Sequence, residues 1–188
     1  MIAITLPDGS VKQFDAGITP MGVAISISEG FARNVISASF NDIIIESSTP
    51  LTEDGHLILY TWRDKKGKQA FWHSSSHIMA QALEEKFPGV KLTIGPAIEN
   101  GFYYDIDLVD NTISDKDLKS IEDKMLEIAR GKHEFTLRES SKADALEYYK
   151  KQGNQYKVAL IENLEDGTIT FCDHDSFTDL CRGGHIPN

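Results

Sequence analysis

The sequence has little cysteine, no long apolar run and no leader-like beginning. Its two cysteines, Cys172 and Cys181, stand close together in a polar segment, which does not suit a disulfide scaffold and favours a reducing, cytoplasmic setting. No apolar stretch approaches the roughly 20 residues that a membrane-spanning helix needs. Residues 1–8 lack the basic start and apolar stretch of a secretory signal. We therefore expect neither a membrane-spanning protein nor a secreted disulfide scaffold.

Basic residues are also scarce, because 19 lysines and arginines face 29 aspartates and glutamates, for a formal net charge of −10. A self-sufficient nucleic-acid binder normally presents a basic field, since neutralising phosphates supplies most of its affinity. Any contact with nucleic acid would therefore be small and local, or another part of a larger protein would hold the nucleic acid. The length of 188 residues suits one large domain or two small ones.

The first sixty or so residues have the pattern of a small β-grasp, ubiquitin-like domain. A turn at residues 7–10 separates two short strands, and Thr19 with Pro20 suits the start of a helix that Gly30 would end. Further strands are predicted at residues 35–40, 43–45 and 56–60. This part is acidic and has no cysteine, and its single histidine, His56, has no partner. We expect an accessory or docking domain without chemistry.

A short charged stretch at residues 63–69 is predicted as a linker between a domain at 1–62 and a second domain at 70–188. Helices are predicted in the second domain at residues 72–87, 114–130 and 142–151. Strands are predicted at residues 92–98, 102–108, 156–162 and 168–172. The Asn100-Gly101 pair between two apolar runs is a strong hairpin signal. This mixture predicts an α+β fold.

Two short motifs carry residue types that do chemistry. In H-S-S-S-H, His73 and His77 stand four apart on a predicted helix, so they share one face with Cβ atoms about 5–6 Å apart. In C-R-G-G-H, Cys181 and His185 flank two glycines, which allow the backbone to approach a ligand closely. The same helix carries a separate stripe of core residues at Ile78, Met79, Ala82 and Leu83.

The four motif side chains are an acceptable zinc ligand set of three nitrogens and one sulfur. From the residues alone, a metal-free hydrolytic site and ordinary surface histidines remain alternatives. A zinc protease is disfavoured because Ser74 stands where that motif requires glutamate. His133 and His174 have no partner in the motifs, and we expect them at the surface.

Four segments follow one another along the chain: H-S-S-S-H-I-M-A-Q-A-L, E-N-G-F-Y-Y-D-I, Y-K-V and D-L-C-R-G-G-H-I-P-N. Together they resemble the editing (second additional) domain of bacterial threonyl-tRNA synthetases, and the first sixty residues resemble the TGS domain that precedes it. Alanyl-tRNA synthetase editing domains share the histidine and cysteine motifs but lack the TGS unit. One departure is Gly184, which stands where bacterial members usually carry proline and predicts a looser loop.

The resemblance implies catalytic roles for five motif residues. His73 and His77 would lie at the catalytic centre, with His73 nearest the attacking water or the ribose hydroxyl. Lys157 would hold water or stabilise developing negative charge. Cys181 and His185 would complete the site. Bacterial members of the family edit without a bound metal, so we expect no metal in this chain despite the ligand-like set.

The resemblance also implies three substrate-binding residues. Asp179 would bind the amino group of a seryl moiety, because a carboxylate is the simplest partner for an ammonium. Tyr104 would form a wall of the pocket. Arg182 would meet either a phosphate or a surface carboxylate, and the sequence does not separate these two possibilities.

As a whole, the resemblance implies the N-terminal part of a cytoplasmic threonine–tRNA ligase. This part would hydrolyse mischarged seryl-tRNA(Thr) at the acceptor end, where its ligand is seryl-adenosine. The class II catalytic core and the anticodon-binding domain are absent from the sequence. ATP with magnesium, a catalytic zinc and most tRNA contacts would belong to the rest of the synthetase, whose parent we expect to be a homodimer. The alternatives are a free-standing trans-editing factor and a non-catalytic TGS-containing module that binds RNA or a partner.

The charge balance generates a first prediction. Because the chain has no excess of basic residues to neutralise phosphates, we expect it to bind tRNA only weakly. Filter binding at physiological salt measures this directly, and a nanomolar affinity would contradict the prediction.

Overall fold

The computed structural model describes residues 1–188. The chain divides into two units, Met1–Phe71 with Gly183–Pro187, and Trp72–Arg182 with Asn188. None of the helices combines the length and the apolar character that a bilayer-spanning segment requires.

The first unit is a five-stranded mixed sheet with two short helices. Its elements are β1 (Ile2–Thr5), β2 (Val11–Phe14), α1 (Pro20–Ile27), α2 (Glu29–Ala32), β3 (Val35–Phe40), β4 (Ile43–Ile45) and β5 (Gly55–Thr61). The strand order is β2-β1-β5-β3-β4, with β1 parallel to β5 and every other neighbouring pair antiparallel. This is the mixed α+β architecture expected from the sequence.

The helix predicted after Thr19 forms for the expected reason. The Thr19 side chain accepts a hydrogen bond from the Gly22 N–H, and Pro20 occupies the first turn, where its missing N–H costs nothing. The predicted end at Gly30 is wrong, because α1 already ends at Ile27. Ser28 instead follows the last residue of α1 and caps the start of α2, where its side chain accepts a hydrogen bond from the Phe31 N–H.

The predicted linker at 63–69 is largely helical. Helix α3 runs from Lys65 to Lys86, seven residues earlier than its predicted start. Two of the three lysines in the predicted linker lie over aromatic rings, with Lys66 Nζ 5.3 Å from the centre of the Tyr60 ring and Lys68 Nζ 5.8 Å from that of Trp62, and all three lysines are exposed. Gly67 lies so close to the end of β5 that a Cβ at this position would lie 2.1 Å from the Thr61 carbonyl oxygen.

The second unit contains the remaining part of α3 and three further helices. Its other elements are β6 (Lys91–Leu92), β7 (Ala97–Ile98), β8 (Gly101–Phe102), β9 (Ile106–Asp107), α4 (Asp115–Gly131), β10 (Thr136–Glu139), α5 (Lys142–Lys151), α6 (Gln155–Glu162), β11 (Thr170–His174) and β12 (Phe177–Leu180). Strands β10, β11 and β12 form an antiparallel sheet, and β6–β9 and β7–β8 form two short ladders. The predicted hairpin is confirmed, with Ile98 opposite Gly101.

The predicted strand at 156–162 is wrong, because this segment is helix α6. The Asn154 side chain caps its start by accepting from the Lys157 N–H at 3.1 Å, and its amide donates to the Leu92 carbonyl. A polar residue that caps a helix outweighs the strand preference of a short apolar run. The core stripe of α3 is confirmed, since its members pack against α4 in one apolar cluster: Ile78, Met79, Ala82 and Leu83.

Candidate active site

Helix α3 places His73 and His77 side by side, as their spacing predicts. Their ring centres are 4.9 Å apart and the rings are nearly perpendicular. Ser76 holds this face of α3 in place, because its hydroxyl lies 2.7 Å from the His73 carbonyl and 2.7 Å from the Gly95 carbonyl. His77 is buried between aromatic rings, with Phe177 at 6.0 Å between ring centres.

Cys181 joins this pair from the other end of the sequence. Its Sγ lies 3.4 Å from His73 Nε2, and the donor atoms of Cys181, His73 and His77 lie within 4.8 Å of one another. Two imidazole nitrogens and a thiol sulfur are donors that zinc accepts. By donor chemistry these residues fit a metal, and the expectation that the chain holds none stays a prediction.

His185 lies in the C-terminal segment that belongs to the first unit. Its backbone N–H donates to the Glu46 carboxylate at 3.2 Å, and the Gly184 N–H donates to the same carboxylate at 2.9 Å. Gly184 has a φ of +86°, which proline cannot adopt, and proline has no N–H to donate. A proline at position 184 would therefore not permit this shape of the loop. The role of His185 in the site stays a prediction.

Lys157 is almost completely buried, with 2% of its surface exposed. Its ammonium lies 2.5 Å from Asp179 Oδ1 and 3.4 Å from the Tyr104 hydroxyl. The cap at the start of α6 sets this position, since Lys157 is the residue whose N–H the cap holds. Lys157 thus faces the Asp179 carboxylate from helix α6 and not from the predicted strand.

Asp179 is surrounded by hydrogen-bond donors. Besides Lys157, its Oδ1 accepts from the Leu180 N–H at 2.8 Å and from the Tyr149 hydroxyl at 3.3 Å. Its Oδ2 accepts from the Tyr104 hydroxyl. Tyr104 therefore does more than form the wall predicted for it, because it donates directly to the carboxylate.

Tyr149 on α5 is the member of this network that the sequence analysis missed. It is 2% exposed, and its hydroxyl also accepts from the Leu180 N–H at 2.9 Å. Burial raises the pKa of the Tyr149 hydroxyl, and the nearby charge of Asp179 raises it further. The same two causes, in the same order, raise the pKa of Tyr104 well above its usual value. Both phenols therefore keep their protons and remain donors to Asp179 at neutral pH.

A cavity of about 440 Å³ opens onto these groups. Its volume falls in the range of small-molecule sites. The predicted site residues that line it are His73, His77, Tyr104, Lys157, Asp179, Cys181 and Arg182. Arg182 is exposed and forms no ion pair with a carboxylate, and which of its two predicted partners it meets stays a prediction.

His174 is not the surface residue that we expected. It is 3% exposed, and its Nδ1 lies 2.8 Å from Gln81 Oε1, one helical turn beyond His77. Burial lowers the pKa of His174, and the neighbouring His133 lowers it further. His133 itself is half-exposed, 3.8 Å from Asp175, in line with the expectation. A lone histidine in a sequence gives no signal that distinguishes these two environments.

Comparison with known proteins tests the resemblance to threonyl-tRNA synthetases. The family model described as the TGS domain matches residues 2–61. Threonine–tRNA ligases of Flavobacterium johnsoniae, Flavobacterium psychrophilum and Cytophaga hutchinsonii are 70%, 69% and 52% identical to the chain over all 188 residues. The chain corresponds in sequence to part of a threonine–tRNA ligase. It spans 29% of the length of these relatives. The resemblance to threonyl-tRNA synthetases is therefore confirmed along the whole chain, and the resemblance to a TGS domain over residues 2–61.

Gly95 generates a prediction about Tyr104. A Cβ at position 95 would lie 2.1 Å from Tyr104 Cδ2, so Gly95→Ala must displace the Tyr104 ring. We expect a loss of about 1–3 kcal/mol in the free energy of unfolding, as for other overpacked sites. Urea unfolding followed by circular dichroism measures it.

The matched control is Gly131→Ala in the same unit. There the added methyl would meet only the ring of the half-exposed His133, which can turn away, so we expect a change within about 0.5 kcal/mol. Equal stabilities of the two variants would contradict the proposed contact between Gly95 and Tyr104.

Proposed function

We propose that the second unit hydrolyses the ester bond of mischarged seryl-tRNA(Thr). The observation that carries the proposal is the cavity in which a buried Lys157–Asp179 pair faces the His73, His77 and Cys181 cluster. Ester hydrolysis requires a positioned water, a route for its proton, stabilisation of the oxyanion and a proton for the leaving ribose oxygen. Imidazoles and an ammonium on the wall of one cavity supply the residue types for these tasks.

The size difference between serine and threonine explains why a second site is useful. The two amino acids share the hydroxyl group and differ by one methyl group, which is worth roughly 1–3 kcal/mol, or about 10–200-fold in discrimination. A second pocket can admit the smaller seryl ester and exclude the threonyl ester by sterics. Since the cavity is much larger than a hydroxymethyl group, the exclusion would depend on the wall beside the side chain and not on the total volume.

In this proposal, His73 lies nearest the attacking water or the ribose hydroxyl, and Lys157 stabilises the negative charge that develops on the carbonyl oxygen. Asp179 binds the α-ammonium of the seryl group, with Tyr104 and Tyr149 as fixed donors behind it. Arg182 binds a phosphate of the acceptor end, a role supported by its exposure at the cavity and the absence of a carboxylate partner.

We infer that the chain performs this reaction as part of a longer threonine–tRNA ligase. The ligase would attach threonine to tRNA(Thr) with ATP and magnesium, use a zinc ion in its synthetic core and act as a homodimer in the cytoplasm. The support is the identity to relatives of that name over the whole chain.

Deacylation of seryl-tRNA(Thr) tests the proposal. We expect the chain, or the ligase that contains it, to release serine, and His73→Ala or Lys157→Ala to slow the release by about 10²–10⁴-fold, the usual contribution of a positioned proton-transfer or oxyanion-stabilising group. Threonyl-tRNA(Thr) is the specificity control and should remain intact.

Lys151→Ala serves as the control variant, because Lys151 is exposed and pairs only with Glu147 on the same helix. It should release serine at the wild-type rate. Wild-type rates for His73→Ala and Lys157→Ala would refute the assigned roles, and intact seryl-tRNA with the wild-type protein would favour a non-catalytic binding module.

A further inference from the structure

The Asp179 carboxylate already has four donors before any ligand binds. The ammonium of Lys157, the Leu180 N–H and the Tyr149 hydroxyl bind Oδ1, and the Tyr104 hydroxyl binds Oδ2. Two carboxylate oxygens offer about four lone-pair positions. Oδ1 therefore has three donors and no free position, whereas Oδ2 has one donor, so a ligand ammonium that binds Oδ1 must take the place of one of its donors.

Lys157 is the donor that can be exchanged. The Leu180 N–H is part of the backbone of β12, and the two phenols are packed side chains of which less than a tenth is exposed. Lys157 is also the only donor with a positive charge. Replacing it by another ammonium keeps the buried carboxylate neutralised, whereas adding a second ammonium beside it would place two like charges in a poorly solvated site.

The structure leaves space for the lysine once it moves. Lys157 and Asp179 line the cavity of about 440 Å³ and also a second cavity of about 200 Å³, which Tyr149 and Asn154 line as well. The flexible four-carbon stem of lysine allows its ammonium to turn without movement of helix α6. In the larger cavity the ammonium faces the same space as His73 and Cys181.

We propose that Lys157 occupies the ammonium site of Asp179 until a substrate with a free α-amino group displaces it. The substrate ammonium then binds Asp179, and the displaced Lys157 ammonium turns into the larger cavity, where it binds the carbonyl oxygen of the ester. This inference rests on the proposed function, because the displacing ligand is an aminoacyl ester. Its consequence is selectivity: an ester whose amino group is acylated leaves Lys157 on Asp179 and escapes hydrolysis.

Two non-hydrolysable ligands test the exchange with the 188-residue chain. The first is 3′-seryl-amido-3′-deoxyadenosine, and the second is the same amide without the α-amino group. Lysine side-chain signals are followed by ¹³C NMR in protein labelled at the lysine ε carbon. Lys157→Arg, which keeps the charge, assigns the Lys157 signal by its loss, and the exposed Lys151 provides an internal control signal.

We expect the amino ligand to shift the Lys157 signal at saturation and to leave the Lys151 signal in place. The ligand without the amino group should leave both signals in place. It should also bind about 10–150-fold more weakly, the ratio that corresponds to one hydrogen bond to a charged group. A saturated amino complex with an unmoved Lys157 signal, or equal shifts with both ligands, would overturn the exchange.

The rate of serine release by the same protein separates this inference from the proposed function. Hydrolysis of seryl-tRNA without movement of Lys157 would refute the exchange alone. Failure to bind either ligand, together with absent hydrolysis, would refute both. Movement of Lys157 in a protein that does not hydrolyse the ester would support the exchange and contradict the proposed function.

Discussion

Lys157 and Asp179 form an ion pair that is almost completely removed from water, with 2% and 4% of their side chains exposed. Each buried ion costs several kcal/mol in lost hydration, and only close geometry with additional hydrogen bonds compensates for that cost. The 2.5 Å separation of the charged atoms and the hydroxyls of Tyr104 and Tyr149 supply both. The arrangement of the site depends on this compensation, because removal of one partner leaves the other charge buried.

Local features of the chain bring the two partners of the pair together. Asn154 caps helix α6 three residues before Lys157, and its side-chain amide donates to the Leu92 carbonyl. The antiparallel register of β11 and β12 places Asp179 opposite Cys172. Gly95 leaves room for the Tyr104 ring where any side chain would collide with it. A helix cap, a strand register and one glycine thus position this polar network.

Much of this site could be predicted from the sequence, and the rest could not for physical reasons. The four-residue spacing of His73 and His77 defines one face of a helix, so their proximity follows from helix geometry. The helical state of Lys157 was missed because the apolar run around it resembles a strand and its cap is a single polar residue. Tyr149 belongs to no motif, and its contact with Asp179 arises only when α5 packs against β12. The burial of His174 likewise depends on tertiary packing that no local pattern records.

A double-mutant cycle on the ion pair tests the central claim most directly. The free energy of unfolding is measured in urea for the wild type, Lys157→Met, Asp179→Asn and the double variant. We expect each single variant to lose about 3–5 kcal/mol, because it leaves a charge or a donor without its buried partner, and the double variant to lose clearly less than the sum. Additive losses would contradict the account, since they would mean that the two side chains contribute independently to the fold.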